Sequence, residues 1–153
     1  MKFKYNQSYG ENGKDFSEYI DYLNSIKEYI SLDLYNFISD PNRHNFSSKS
    51  LHDSRIEKIQ FINDFSKNNS NMVITLLRED RIFKLNFWGI IIYKIEQLCR
   101  INDLLTYEIG IENHKYEGNN DYERENSLVF RAEFCDGGIE IFCEEIHIEE
   151  ILE

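Results

Sequence analysis

The sequence predicts an α+β fold in which an N-terminal helical segment packs on a mainly antiparallel sheet. Apolar residues recur every three or four positions between residues 15 and 39, but alternate with polar residues from residue 51 onward. The 153 residues fit one domain, with a helical part at 1–45 and a β-rich body at 51–153. A sheet of about six to eight strands with one helical region to cover it is expected to curve or to form a sandwich.

The helical segment is predicted from Asp15 to about Ser39, as one long helix or two short ones. Its apolar residues at helical spacing are Phe16, Tyr19, Ile20, Leu23, Ile26 and Ile30. Asp15, followed three residues later by Glu18, resembles a capping box at the start of the helix. Pro41 ends the segment, and the polar residues up to Ser50 are typical of a loop.

The first half of the β-rich body is predicted to hold four strands, at residues 55–62, 72–77, 82–87 and 90–95. In the first strand, the alternation places Ile56 on one face and Glu57, Ile59 and Phe61 on the other. The polar residues 66–71 are predicted to form a turn, and Gly89 predicts a bulge or a bend.

The second half is predicted to hold a strand at residues 104–113, an exposed loop at 115–126 and a hairpin. The hairpin strands are residues 128–134 and 139–143, joined by Asp136-Gly137-Gly138, where glycine supplies the positive φ that a tight turn needs. At Glu144-Glu145 the alternation changes phase, which indicates a bulge or the end of one strand and the start of another. The residues predicted to be largely buried in the core are Phe87, Trp88, Ile91, Phe130, Phe134 and Ile141.

The acidic charge is concentrated near the C-terminus. The net charge of the chain is −11, and residues 112–153, with 13 acidic and 3 basic side chains, carry −10 of it. Such a segment repels phosphates, so nucleic-acid and anionic-membrane partners are not expected, whereas a basic protein would be attracted. An acidic surface that serves only solubility is the alternative interpretation.

A search for catalytic chemistry finds little. The four histidines are scattered without metal-ligand spacing, no glycine-rich phosphate loop follows a strand, and Cys99, Cys135 and Cys143 lack C-x-x-C spacing, so no cofactor or metal is expected. A Cys143–His147 pair, or catalysis by the Glu144-Glu145 and Glu149-Glu150 carboxylates, stays open as an alternative. The N-terminus lacks the apolar run of a signal peptide, which favours a cytoplasmic protein, and we expect a monomer or a weak dimer.

One segment stands out as a motif, Leu51-His52-Asp53-Ser54-Arg55-Ile56, at the entrance to the first strand. We expect His52 and Asp53 to hydrogen-bond and to fix the loop-to-strand junction rather than to act on a substrate.

Together with later motifs, this segment carries a resemblance to a known group of proteins. The later motifs are Phe87-Trp88-Gly89-Ile90 and the closing pattern Asp136-Gly137-Gly138 with Ile139-Glu140-Ile141-Phe142 and an acidic, Ile-rich end. Over residues 46–151 the chain resembles small bacterial immunity proteins of polymorphic toxin and contact-dependent growth inhibition systems. The resemblance carries over no catalytic residues.

The resemblance implies a protein that neutralises a cognate toxin by tight stoichiometric binding. The acidic end suggests a basic toxin, such as a nuclease, because opposite charge speeds association. The candidate toxin-binding residues are Asp136, Glu140, Glu144, Glu145, Glu149 and Glu150. The alternatives are a small enzyme with a Cys or carboxylate site and an adaptor domain without a toxin.

Overall fold

The computed structural model describes residues 16–64, 69–98, 102–116 and 122–152. Within these ranges, two α-helices come first, α1 (Phe16–Ser25) and α2 (Leu32–Ile38), with single 3₁₀ turns at Lys27–Tyr29 and Pro41–Arg43. Eight strands follow in the described residues: β1 (Arg55–Asp64), β2 (Asn69–Arg78), β3 (Arg81–Trp88), β4 (Ile92–Glu96), β5 (Leu104–Tyr116), β6 (Tyr122–Phe134), β7 (Gly138–Cys143) and β8 (Glu145–Leu152). The predicted α+β class is confirmed.

Of the two helical arrangements that the sequence left open, the structure has two short helices. The chain turns between them at residues 26–30, and the second helix restarts at Ser31, whose hydroxyl oxygen accepts a hydrogen bond from the Leu34 N–H at 3.2 Å. This side chain satisfies one of the N–H groups that a helix start leaves without a partner. The capping box predicted at Asp15 lies outside the described residues.

The strands form two antiparallel four-stranded sheets: sheet A, in the order β1-β2-β3-β8, and sheet B, in the order β4-β7-β6-β5. Side chains from both sheets and from the helices belong to one hydrophobic cluster. Phe87 of sheet A and Phe130 of sheet B meet in it with ring centroids 5.2 Å apart. The two inner faces therefore pack against each other as a sandwich, and the outer faces point in opposite directions.

Four of the six residues predicted to be in the core are buried: Phe87, Phe130, Phe134 and Ile141. The prediction for Trp88 is wrong, because this side chain is 50% exposed. Neighbouring residues of a strand point to opposite faces, so the inward position of Phe87 sends Trp88 outward. Ile91 is only partly buried because it lies in the passage from sheet A to sheet B.

The predicted alternation of β1 is wrong for Ile56 and Ile59, which both pack against the core. The pairing with β2 skips Glu57, so this residue is the extra one of a β-bulge. The bulge places Ile56 opposite Leu76 and Ile59 opposite Ile74, on the same inner face.

Two predicted loops are shorter than expected. Residues 69–71, assigned to the turn at 66–71, pair with β1 as the start of β2, and residues 66–68 lie outside the described part of the chain. β5 continues to Tyr116 and β6 begins at Tyr122, so that the predicted loop at 115–126 is largely strand. Pairing with a long antiparallel neighbour extends a strand into polar residues whose own sequence has no strand pattern.

The change of phase at Glu144 is the passage from sheet B to sheet A, so one strand ends there and another begins. The chain also crosses between the sheets at residues 89–91. The two crossings lie side by side, because the Glu144 N–H donates to the carbonyl of Trp88 at 3.0 Å. Gly137 has the positive φ expected of the hairpin, +81°. These two crossings place the ends of β3 and β7 and the start of β8 together.

The helical segment lies between the edge strands β5 and β8. The Tyr19 hydroxyl accepts a hydrogen bond from the Ile109 N–H and donates one to the Ile109 carbonyl, both at 2.9 Å. The Tyr22 hydroxyl makes the same pair of bonds with Ile111, at 2.9 and 3.4 Å. Because α2 packs along β8, the helices cover this side of the sandwich.

Candidate protein-binding site

The six candidate carboxylates do not form one patch. Glu140 lies on the outer face of sheet B, whereas Glu145 and Glu149 lie on the outer face of sheet A. Asp136 is exposed in the β6–β7 turn, at the other end of β7 from Glu144. A single partner surface therefore reaches some of these residues and not others.

Three of the six candidates take part in ion pairs within the chain. The guanidinium of Arg131 lies 2.5 Å from carboxylate oxygens of both Glu112 and Glu140. The hydrogen bond to Glu112 is the main reason that the pKa of Arg131 is raised, with Glu140 adding to it against desolvation. Arg124 forms an ion pair with Glu144. These pairs reduce the charge that Glu140 and Glu144 present to a partner.

Glu150 is the most enclosed of the candidates. Its carboxylate contacts the guanidinium groups of Arg43, at 2.8 Å, and of Arg81, and its side chain is 20% exposed. Burial acts to raise the pKa of Glu150, but the two arginines outweigh burial and hold the pKa below its ordinary value. The residue ties the loop after α2 to the sheet, so it contributes to the internal structure of the chain.

Glu144 and Glu145 lie in a cleft between the helical segment and the start of β8. The cleft has a volume of about 400 Å³ and is lined by Tyr29, Ser31, Asp33, Leu34, Leu128, Glu144, Glu145, Ile146 and His147, a set called the acidic cleft below. Three of the lining residues are acidic and three are aliphatic. Carboxylates bind guanidinium and ammonium groups, and aliphatic walls accept the methylene stems of Arg and Lys.

Gly89 is required for the position of Glu144. It has a φ of +61°, and a Cβ placed on it would meet the Glu144 carboxylate group at 2.5 Å. The positive φ favours glycine at this position, and an added Cβ would displace the Glu144 side chain from the place it occupies. The bend that the sequence predicted at Gly89 serves to let the Glu144 side chain lie over the backbone.

Trp88 lies beside the acidic cleft. It is directly opposite Glu145 in the β3–β8 pairing, and both side chains are exposed on the outer face of sheet A. The next outward pairs along the two strands are Asn86 with His147 and Lys84 with Glu149. Exposed aromatic residues are enriched at the centre of protein interfaces, where they contribute much of the binding energy, whereas carboxylates are found mainly at the polar rim.

Sequence reasoning missed Asp33, Tyr29 and the outward position of Trp88. Asp33 lies in the first turn of α2, far in sequence from the acidic end, and only the packing of α2 on β8 brings it near Glu145. The alternation of β3 contained the signal for Trp88, because Phe83, Leu85 and Phe87 are all inward.

His52 and Asp53 lie at the loop-to-strand junction. The His52 Nδ1 is 2.8 Å from a carboxylate oxygen of Asp53, and the Asp53 N–H donates to the Leu104 carbonyl at 2.9 Å. Asp53 has a φ of +64°, a left-handed conformation that Asp tolerates better than most residues. Their structural role stays a prediction that these contacts support.

The Cys143–His147 pair is not brought together. Cys143 is buried on β7 and His147 is exposed on the outer face of sheet A. Burial raises the pKa of the Cys143 thiol to about 12, with the charge of Glu144 adding to the effect. The thiol is thus protonated at neutral pH, and a thiolate nucleophile is not available there.

Within the described ranges, no group of three or more His, Cys, Asp or Glu side chains has the arrangement of a metal site. Over the same ranges, no helix has the length and apolar character needed to cross a membrane. No protein-family model matches the chain, and no curated protein matches it.

Proposed function

We propose that this chain is an immunity protein that neutralises a cognate bacterial toxin by tight stoichiometric binding in the cytoplasm. The observation that carries the proposal is the acidic cleft with Trp88 beside it. The resemblance of residues 46–151 to immunity proteins and the charge of −10 on residues 112–153 also support it.

The partner that fits this surface is a basic toxin domain, such as a nuclease with a cationic substrate groove. Such a groove presents Lys and Arg to phosphates, and the same side chains can enter the acidic cleft. Glu145 is the strongest of the candidate contacts, because it lines the cleft and is exposed. Glu144 also lines the cleft but shares its charge with Arg124, so it ranks second. Asp136 and Glu140 lie away from it and are expected to contribute little.

The first test is co-expression with the product of the adjacent upstream gene, which the proposal expects to be a toxin. We expect the two proteins to co-purify as a 1:1 complex and the toxin-expressing cells to grow. Trp88→Ala is expected to weaken the complex by about 2 kcal/mol, roughly 30-fold in Kd, as for an aromatic anchor at an interface centre.

Charge variants separate the cleft from the overall acidity of the chain. Glu144→Gln with Glu145→Gln should reduce protection, and Glu57→Gln with Asp136→Asn, which removes the same charge elsewhere, should not. Absence of a complex would contradict the proposal, and equal losses in the two double variants would contradict the role of the cleft.

A further inference from the structure

The two sides of the sandwich differ in how their edge strands are covered. On one side, the tyrosine hydroxyls of α1 bond to β5, and α2 packs on β8. On the other side lie β1 and β4, and in the described part of the chain β4 has β7 as its one neighbouring strand. An edge strand in this position offers its outward N–H and C=O groups to another chain.

The pairing of the hairpin shows which backbone groups of β4 face outward. In β7, the residues that bond to β6 alternate with those that bond to β4. The Phe134 N–H donates to the Gly137 carbonyl at 3.1 Å, and this bond shows which residues of β7 bond to β6 and which bond to β4. Following the alternation along β7 and its pairing with β4, the N–H and C=O groups of Lys94 bond to β7. The N–H and C=O groups of Tyr93 and Ile95 therefore point to the open edge.

Exposed apolar side chains lie along the same edge. Phe61 of β1 and Tyr93 of β4 contact each other across the gap between the sheets, with ring centroids 5.1 Å apart. Phe61 is 51% exposed and Tyr93 is 48% exposed, and Ile62 and Ile92 are also exposed. Covering these side chains would remove apolar surface from water, which favours association.

The charges of β4 are self-complementary. In Lys94-Ile95-Glu96, the Lys94 Nζ lies 2.7 Å from a carboxylate oxygen of Glu96, on the outer face of sheet B. If Ile95 lies opposite Ile95 of a second copy in an antiparallel pair, Lys94 of each chain lies opposite Glu96 of the other. Opposite charges directly across an antiparallel pair stabilise it.

We propose that a second copy of this chain occupies this edge, with β4 pairing antiparallel to β4 about a two-fold axis at Ile95. Sheet B then continues across the dimer, and the same surface serves both copies, as in most homodimers. The acidic cleft lies on the opposite, helical side, so a dimer leaves both clefts open. The inference is independent of the proposed function.

The test is sedimentation velocity of the purified chain over a concentration series. The wild type is expected to form a dimer whose fraction increases with concentration. Lys94→Glu and Glu96→Lys each place like charges across the pair and should weaken dimerisation about tenfold. Lys49→Glu, which makes the same charge change as Lys94→Glu but in an exposed loop on the helical side, is the control and should dimerise as the wild type does.

Mixing the two variants gives the sharpest readout. Lys94→Glu and Glu96→Lys chains together restore both opposite-charge pairs, so an equimolar mixture should dimerise more tightly than either variant alone. A wild type that is monomeric at every concentration would overturn the proposal. It would also be overturned by charge variants that dimerise like the wild type, or by a mixture no tighter than its components.

Discussion

His44 shows how one side chain holds the helical segment against the sheet. Its ring stacks on Tyr107 of β5 with centroids 4.5 Å apart and contacts the rings of Phe16 and Tyr19. Its Nε2 lies 2.8 Å from the Ile38 carbonyl at the end of α2, so that the neutral ring donates a hydrogen bond there. Desolvation lowers the pKa of His44 to about 4, although the Ile38 bond and the charge of Asp40 act in the other direction.

This shift gives the stability a pH dependence. The pKa of His44 is about 4 in the folded chain and 6.5 ordinarily, so the unfolded chain binds more protons between these values. We expect the free energy of unfolding to fall as the pH is lowered from 7 to 5, by up to about 1.4 kcal/mol per pH unit from this group. Urea unfolding of the wild type and of His44→Gln at several pH values measures this change in the free energy of unfolding.

His44→Gln keeps a hydrogen-bond donor but does not titrate, and its stability should depend less on pH in this range. His147→Gln changes an exposed histidine and serves as the control, with the pH dependence of the wild type. If the free energy of unfolding of His44→Gln depended on pH as steeply as that of the wild type, the assignment of the pH dependence to His44 would be contradicted.

At the scale of elements, the tyrosine hydroxyls of α1 bind the edge of β5 in the way that a neighbouring strand would. Each hydroxyl satisfies both the N–H and the carbonyl of one residue, Ile109 or Ile111. Edge strands with open hydrogen-bonding groups invite pairing with other chains, and a helix that covers them prevents it. Burial raises the pKa of Tyr19 well above its ordinary value, which keeps this hydroxyl protonated and able to donate.

Tyr19→Phe removes one hydroxyl, so the buried N–H and carbonyl of Ile109 lose the hydrogen bonds that this hydroxyl makes with them. We expect a loss of about 1–3 kcal/mol in the free energy of unfolding and faster hydrogen exchange at the Ile109 amide. Tyr35→Phe removes an exposed hydroxyl bonded to Asn24 and should change stability by less than about 0.5 kcal/mol. Equal effects of the two substitutions would contradict the edge-covering role of Tyr19.

At the scale of elements, periodicity predicted the helices, the hairpin and most of the strands, because each of these leaves an alternating or helical apolar pattern. It failed where pairing with a neighbour overrides local pattern. The bulge at Glu57 reverses the face of Ile59, and β5 and β6 extend through polar residues beyond the predicted strands. Trp88 was assigned to the core on hydrophobicity alone, although its own strand alternation points it outward.

At the scale of the whole molecule, the sequence predicted the amount of acidic charge but not its distribution in space. Glu140 and Glu149 are close in sequence, yet they lie on outer faces that point in opposite directions, because the chain changes sheets at Glu144. Asp33 joins Glu144 and Glu145 only through the packing of α2 on β8. The surface expected to attract a basic partner is therefore the acidic cleft rather than the acidic end as a whole.

The most direct test of this account is the association rate constant with the basic toxin domain proposed as the partner, measured by stopped flow at several salt concentrations. The cleft variant carries Asp33→Asn, Glu144→Gln and Glu145→Gln, and the control, with equal net charge, carries Glu57→Gln, Asp80→Asn and Asp136→Asn. We predict association about tenfold slower for the cleft variant with a flatter salt dependence, and a control close to the wild type, since nearby charges steer encounter most strongly. Equal slowing in both variants, or none in either, would contradict the assignment of the acidic cleft as the binding site.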